Sequence, residues 1–219
     1  MRGGGALTAL FAERGKFHSV IGIEYDDEEA CKASQKGIRV IRADLSQRWP
    51  IKSGSIDVCI SSQNIEHMHR TRFYVREMYR VLRPKGYTIV LTENLAGWVN
   101  VFALLFGWQP FSMTNIEGAS LGCPLTWHID LPKDPTHLRR VCSYSLGEGI
   151  VGLGGHVRVL AFAGLSDILI DAGFRVEVLR GAGYAPFAGK VSRVLSSLDP
   201  RHAHFLVAKA RKPNKATGS

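Results

Sequence analysis

Between Val20 and Asn94 this chain places an acidic residue at three successive strand boundaries. Glu24 closes the apolar run VIGIE, Asp44 closes IRVIRAD, and Asp57 opens IDVCISS. A helical segment and a PKG turn then lead into a fourth apolar strand, YTIVLTEN. Strands alternating with helices argue for an α/β fold with a mostly parallel sheet. In such sheets ligand chemistry gathers at the carboxyl ends of the strands. Acids at those ends suit the hydroxyls of a ribose and the amine of a base.

The 219 residues are 45% hydrophobic and 21% charged, enough apolar surface for one domain with a full core and too little charge for wholesale disorder. The net charge of +9 favours anionic partners. No alternation of basic and aromatic residues offers a stacking platform for bases, so nucleic acid is not the favoured partner. Cys31, Cys59, Cys123 and Cys142 form no C-x-x-C pair, and read as reduced thiols of a cytoplasmic protein. The longest apolar stretch, Trp98 to Trp108, is about half of what a bilayer requires, which excludes a membrane span.

Along the chain, a glycine-rich turn (Gly3-Gly4-Gly5) opens a helix at Ala6. The pattern then predicts strands at 19–25, 38–43 and 56–61, with a helix over 27–36 between the first two. In the helix over 71–82, Val75, Met78, Tyr79 and Leu82 share one face of a 3.6-residue period. Arg83-Pro84-Lys85-Gly86 reads as a type I turn feeding a strand over 87–93. Residues 108–155 lack clean periodicity, and the whole span 98–155 reads as a lid or acceptor-binding insertion. A helix follows over 161–172, capped by Gly173 with Phe174 as the apolar contact. A strand (175–180), a helix (190–198) and a last strand (203–210) complete one domain over 1–210, and the basic tail 211–219 reads as disordered.

The chemistry-bearing residues follow from this layout. The N–H groups of a helix's first turn bind anions, and glycine lets a ligand approach them, so Gly3 and Gly5 form a candidate cradle. Glu24 lies 19 positions after Gly5 at the next strand end, where a carboxylate accepts hydrogen bonds from ribose hydroxyls. A dinucleotide fingerprint would need a third glycine where Thr8 stands, which shifts the reading from a nicotinamide cofactor to a mononucleoside such as an adenosyl group. Asp44 suits an exocyclic adenine amine, or else caps a turn with Ser46. Asp57 suits local backbone geometry. Ser62-Gln63-Asn64-Ile65-Glu66-His67 follows the third strand at its carboxyl edge, and His67 is the candidate general base there. His128, His137 and His156 stand in or beside the insertion, and His156-x-Arg158 reads as an anion clamp. His202-x-His204 would share one face of the last strand, but two ligands do not make a metal site, so no metal is expected.

With these residues assembled, the chain resembles the class I S-adenosylmethionine-dependent methyltransferases, in particular the methyltransferase type 11 group. The segments that carry the resemblance are GGGALTALFAERG, VIGIEYD, VIRADLSQRWPIKSGSIDVCISSQNIEHM and REMYRVLRPKGYTIVLTEN, with weaker similarity in GHVRVL and LSDILIDAGF. The resemblance implies a Rossmann-like three-layer sandwich, with sheet order 3-2-1-4-5-7-6 and an antiparallel last strand. It implies that Gly3 and Gly5 belong to the glycine motif and that Glu24 binds ribose. It further implies that Asp44 with Leu45 contacts adenine and that Ser62 and Gln63 lie near the reactive methyl. S-adenosyl-L-methionine is the implied cofactor, and the acceptor a small or anionic molecule methylated on oxygen or nitrogen. The family's first strand and its acidic residue would precede Gly3 and are absent here; the expectation is a start placed too late or a fragment. Lys85 stands where the family has glycine, which a type I turn tolerates. Competing readings are a methyltransferase-like binding module without turnover, an RNA methyltransferase suggested by the +9 charge, and, more distantly, a nicotinamide oxidoreductase.

Overall fold

A computed structural model describes residues 5–116, 119–120, 122–124 and 156–214. Gly3, Cys142, His128 and His137, and residues 125–155 of the expected insertion, lie outside the described residues. The first half runs α1 (Ala6–Gly15), β1 (Ile21–Glu24), α2 (Asp27–Ser34), β2 (Arg39–Arg42), β3 (Ile56–Ser62), a 3-10 turn (Ile65–His67), α3 (Thr71–Val81) and β4 (Leu82–Glu93). The second half adds α4 (Trp98–Leu105), a 3-10 turn (Phe111–Met113), the short hairpin β5 (Asn115–Ile116) and β6 (Ala119–Ser120), α5 (Phe162–Asp171), β7 (Arg175–Ala182), α6 (Gly189–Leu198) and β8 (Phe205–Arg211).

The strands fall into two main sheets. β1 pairs in parallel with β2, and a second sheet has the order β3-β4-β8-β7. β3 and β4 are parallel, while β8 is antiparallel to both its neighbours. A break therefore separates β1 from β3, at the place where the expected order has its first strand. Among the described residues no strand precedes Ile21. The two sheets share a core: Ile23 and Leu45 pack against the cluster built from Tyr74, Val75, Met78, Leu82, Val90, Leu165, Leu169 and Leu206.

The helices behave as their periodicity requires. On α3, Val75 and Met78 are fully buried with Leu82, and Tyr79 meets Phe174 edge-on at 5.0 Å. On α5, Leu165 and Leu169 are fully buried. Its end is a Schellman motif: Gly173 has φ +97°, its N–H donates to Ile170 O at 2.9 Å, and Phe174 N–H donates to Leu169 O at 3.1 Å. α2 opens on Asp26, whose carboxylate accepts from Glu29 N–H at 2.9 Å. By contrast α1 buries none of its residues.

Three expectations are corrected. The Arg83–Gly86 segment is not a type I turn. Lys85 has φ +67°, the left-handed region that position i+2 of a type II turn requires and that glycine fills without strain. It sits in a register break of β4, where Ile56 pairs with Leu82 but Val58 with Tyr87. A left-handed non-glycine residue costs roughly 1–2 kcal/mol, and glycine gives back part of that through its freer unfolded chain. Lys85→Gly is therefore expected to stabilise the fold by about 0.5–1 kcal/mol, read as a higher urea midpoint at unchanged slope. The tail does not begin at residue 211. Arg211 closes β8 opposite Tyr87, and Lys212 Nζ donates to Tyr79 O and Leu82 O at 2.7 and 2.6 Å. Nor do His202 and His204 lie on the last strand, which begins at Phe205. His202 Nδ1 instead meets the Asp199 carboxylate at 2.9 Å. Among the described residues no helix is long and apolar enough to cross a membrane, and Cys31 and Cys59 are free thiols.

Candidate functional site at the carboxyl edge

Each parallel strand delivers polar groups at its carboxyl end. β1 ends on Glu24, half-buried, whose Oε1 accepts from Tyr25 N–H at 2.8 Å and Asp26 N–H at 3.1 Å. One carboxylate oxygen thus braces its own loop, and Oε2 has no hydrogen bond among the described residues. After β2, Asp44 is exposed and caps a turn: Oδ1 accepts from Ser46 N–H at 2.8 Å and Oδ2 from Ser46 Oγ at 2.6 Å. Leu45 packs on the core, and its carbonyl accepts from Trp49 Nε1 at 3.2 Å. Asp57, at the start of β3, forms an exposed ion pair with Arg83.

Gly5 behaves differently from an open cradle. Its φ is +73°, and a Cβ there would stand 2.5 Å from Ile38 Cδ1 and 3.0 Å from Ala33 Cβ. The residue is glycine because the start of α1 presses against α2 and the chain entering β2.

The end of β3 carries a non-glycine residue with left-handed backbone. Gln63 has φ +51°, its N–H donates to Leu91 O at 2.9 Å, and Asn64 Nδ2 donates to Ser62 O at 2.9 Å. A non-glycine residue held left-handed directly after a strand marks a segment whose geometry its neighbours impose, as functional loops do. The turn that follows gathers Glu66, His67 and His156. Glu66 is fully buried; its Oε2 accepts from Thr92 Oγ1 on β4 at 3.0 Å, and its backbone carbonyl accepts from Val157 and Arg158 N–H at 2.8 and 3.0 Å. Burial pushes the Glu66 carboxyl up from the ordinary range, the Thr92 hydrogen bond and nearby His156 draw it down, and Glu93 adds to the rise. The His67 and His156 rings are 4.9 Å apart. His156 Nδ1 lies 2.6 Å from Ser112 O and 3.6 Å from Glu93 Oε2.

The expected pairing of His156 with Arg158 is not what forms. His156 turns into this cluster, while Arg158 helps to line a separate cavity of about 350 Å³ with His69, Arg70, Arg72, Phe73 and Arg76. Arg72 there is neutralised by a two-point pair with Asp171 at 2.6 and 2.5 Å. Arg70 lies over the Phe73 ring at 4.4 Å.

Ser62, Gln63 and His67 therefore share one short segment, and the structure adds Glu66, Glu93 and His156 to it. Glu24, Asp44 and Gly5 stand on their own loops. Glu66 and Glu93 were missed by sequence reasoning, although Glu66 beside His67, at a strand's carboxyl edge, is a readable signal. Asn94 was missed as well. It is buried, and its Nδ2 donates to Arg201 O and Ala203 O at 2.8 and 2.7 Å, tying the end of β4 to the chain entering β8.

The methyltransferase domain family matches residues 2–90. A Mycolicibacterium smegmatis protein named "Probable S-adenosylmethionine-dependent methyltransferase" is 37% identical over 193 residues, covering 86% of this chain and 53% of that one. An uncharacterized methyltransferase of Mycobacterium sp. strain JLS is 39% identical over 120 residues, 54% of this chain and 44% of the relative. The chain thus spans about half the length of these curated relatives. Among solved structures, an S-adenosylmethionine-dependent methyltransferase from Mesorhizobium loti superposes with TM-score 0.56 at 20% identity, covering 93% of this chain and 85% of that one. The Burkholderia thailandensis 1,6-didemethyltoxoflavin-N1-methyltransferase, solved with 1,6-didemethyltoxoflavin and S-adenosylhomocysteine, gives 0.52 at 16%, covering 97% and 68%. These likenesses define the class of the fold, a Rossmann-like methyltransferase sheet closed by an antiparallel strand. The sequence similarities agree with it: the matching domain family and both mycobacterial relatives are methyltransferases, and the chain resembles them over the stretches given.

Proposed function

We propose that this chain transfers a methyl group from S-adenosylmethionine to an oxygen or nitrogen of a small or anionic acceptor. The observation that carries the reading is the 37% identity, across 86% of the chain, to the mycobacterial relative of that name. The residues present fit the donor. Glu24 keeps Oε2 for a ribose hydroxyl while Oε1 holds its loop. Asp44 and Leu45 would meet the adenine, Asp44 through the acceptor sites that Ser46 leaves open. Gly3 and Gly5 would shape the turn that receives the donor, and Ser62 and Gln63 would face the methyl group. The bound donor supplies an already activated methyl, so the protein's main task is alignment.

Residues 1–210 act as one domain on this reading, and 98–155 choose the acceptor. His67, on the turn after β3, takes the acceptor's proton. The separate basic cavity, where Arg70 and Arg158 have no carboxylate partner among the described residues, supports an anionic acceptor. The free thiols of Cys31 and Cys59 suit a cytoplasmic setting.

Calorimetry with S-adenosylmethionine tests the reading. The wild-type chain is expected to bind, and Glu24→Ala to lose about 1.5–3 kcal/mol, the worth of charged hydrogen bonds, or roughly 10- to 150-fold in Kd. A wild-type chain that binds no donor refutes the activity. A Glu24→Ala chain that binds as well as wild type removes Glu24 from the ribose.

A further inference from the structure

The cluster after β3 is richer than proton transfer needs. A donor atom from each of Glu66, His67 and His156 lies within 4.8 Å of the other two. We propose that Glu66, His67 and His156 form a binding site for a divalent transition-metal ion.

The first support is Glu66. Its side chain is completely buried, Oε2 is held by Thr92, and Oε1 has no hydrogen bond among the described residues. A buried carboxylate oxygen without a partner is costly, so natural folds give it a proton, a water or an ion. The second is His156. A carbonyl can only accept, so the contact with Ser112 O at 2.6 Å fixes the proton on Nδ1 and leaves the lone pair on Nε2. Metal-binding histidines are held in this way by a backbone carbonyl behind them, and ligating carboxylates by a hydroxyl such as that of Thr92. Both parts of that outer support are present.

The donor set selects the ion. Two imidazoles and one carboxylate suit zinc, iron(II), cobalt or nickel, and are poor for magnesium or calcium, which take oxygen donors. Donors about 2.0–2.2 Å from one ion stand about 3.3–3.6 Å apart, so the side chains draw in by roughly 1 Å on binding. His67 is half-buried and His156 nearly buried, so the site stays open on one side. Three protein ligands with an open position is the arrangement of a catalytic ion, not of a structural one. Glu93, 3.6 Å from His156, is placed to orient it or to become a fourth ligand.

The placement, at the edge where the acceptor would meet the methyl group, rests on the function proposed above; the binding itself does not. An ion there would hold an acceptor oxygen and favour its deprotonated form. His67 would then act as a ligand, and the acceptor's proton would pass to Glu93 or to solvent.

The test uses the full chain stripped by a chelator and titrated with cobalt(II), whose visible spectrum reports its ligands. One equivalent is expected to bind with the intensified bands of low-coordinate cobalt, and added zinc to displace it. Glu66→Gln removes an anionic donor with little change of shape, and His156→Ala removes an imidazole. Each is expected to weaken cobalt binding at least about tenfold, with circular dichroism confirming that the chain remains folded. A wild-type spectrum no different from aqueous cobalt overturns the proposal, as does binding that survives unchanged in both variants. Calorimetry on the same samples separates the two readings. Donor binding without a cobalt signal refutes the metal site alone, and a cobalt signal without donor binding refutes the methyl-transfer reading alone.

Discussion

Arg80→Met is expected to lower the unfolding free energy by about 3–5 kcal/mol, the usual loss when one member of a buried charge pair is removed. The Arg80 guanidinium donates to both oxygens of Glu77 at 2.7 Å, to Trp49 O at 2.9 Å, to Ile51 O at 2.8 Å and to Ser53 Oγ at 3.0 Å. Glu77 is 6% exposed and also accepts from Trp49 N–H at 2.8 Å. This one side chain therefore pins the loop between β2 and β3 onto α3. Methionine would fill the stem and leave a buried carboxylate and two carbonyls unmatched. Chemical denaturation measures the loss; a change below 1 kcal/mol would refute the assigned role.

The same pair sets a pH dependence. Burial alone would raise the Glu77 carboxyl, but the hydrogen bonds from Arg80 and from Trp49 N–H outweigh it and hold the group below its ordinary value of 4.5. A depressed native pKa gives stability that is complete above the unfolded pKa and is lost as pH falls through the native one. Wild-type stability is therefore expected to decline from about pH 4.5 downward. In Arg80→Met, where burial dominates, that part of the slope should vanish or reverse.

Asn94→Ala is expected to cost about 2–4 kcal/mol and to loosen the chain beyond β4. Besides its bonds to Arg201 O and Ala203 O, Asn94 accepts from Ala96 N–H at 3.1 Å through Oδ1 and from Asn100 Nδ2 at 2.9 Å through its carbonyl. Asn100 in turn donates to Ser112 Oγ at 2.9 Å and accepts from Ser112 N–H at 3.1 Å. Ser112 is the residue whose carbonyl meets His156. Alanine would orphan three partners, one in a buried bond and two in part-buried ones, each worth roughly 1 kcal/mol or more. Hydrogen exchange is the discriminating measurement. Faster exchange over 96–112 with the β3–β4 ladder unchanged supports this chain of contacts, and uniform acceleration across the sheet would refute it.

Much of the fold was legible because its determinants are local. The 3.6-residue spacing of Val75, Met78 and Leu82 specifies the buried face of α3 whatever lies opposite, and Gly173-Phe174 specifies the end of α5 through bonds within six residues. Asp44-x-Ser46 is also local, and the turn cap that its spacing allows is present. Lys85 misled because type I and type II turns share proline at i+1; only the sign of φ at the next residue separates them, and the β3 pairing imposes it. At Gly5 the glycine run is legible as freedom of approach, but only the packing shows that Ile38 and Ala33 are what approaches.

By itself the sequence determined the order of strands and helices outside 98–155, the apolar faces that bury them, and a polar segment from Ser62 to His67 at a strand's carboxyl edge. These depend on periodicity and on residues a few positions apart. Tertiary structure alone decided that the sheet divides between β1 and β3, that Arg80 holds a loop distant in sequence, and that His156 returns across the insertion to stand beside Glu66 and His67. The reason is physical: a hydrogen bond or a shared ion binds groups that chain packing brings together, and contacts between such distant segments leave no periodic trace in the residues that make them.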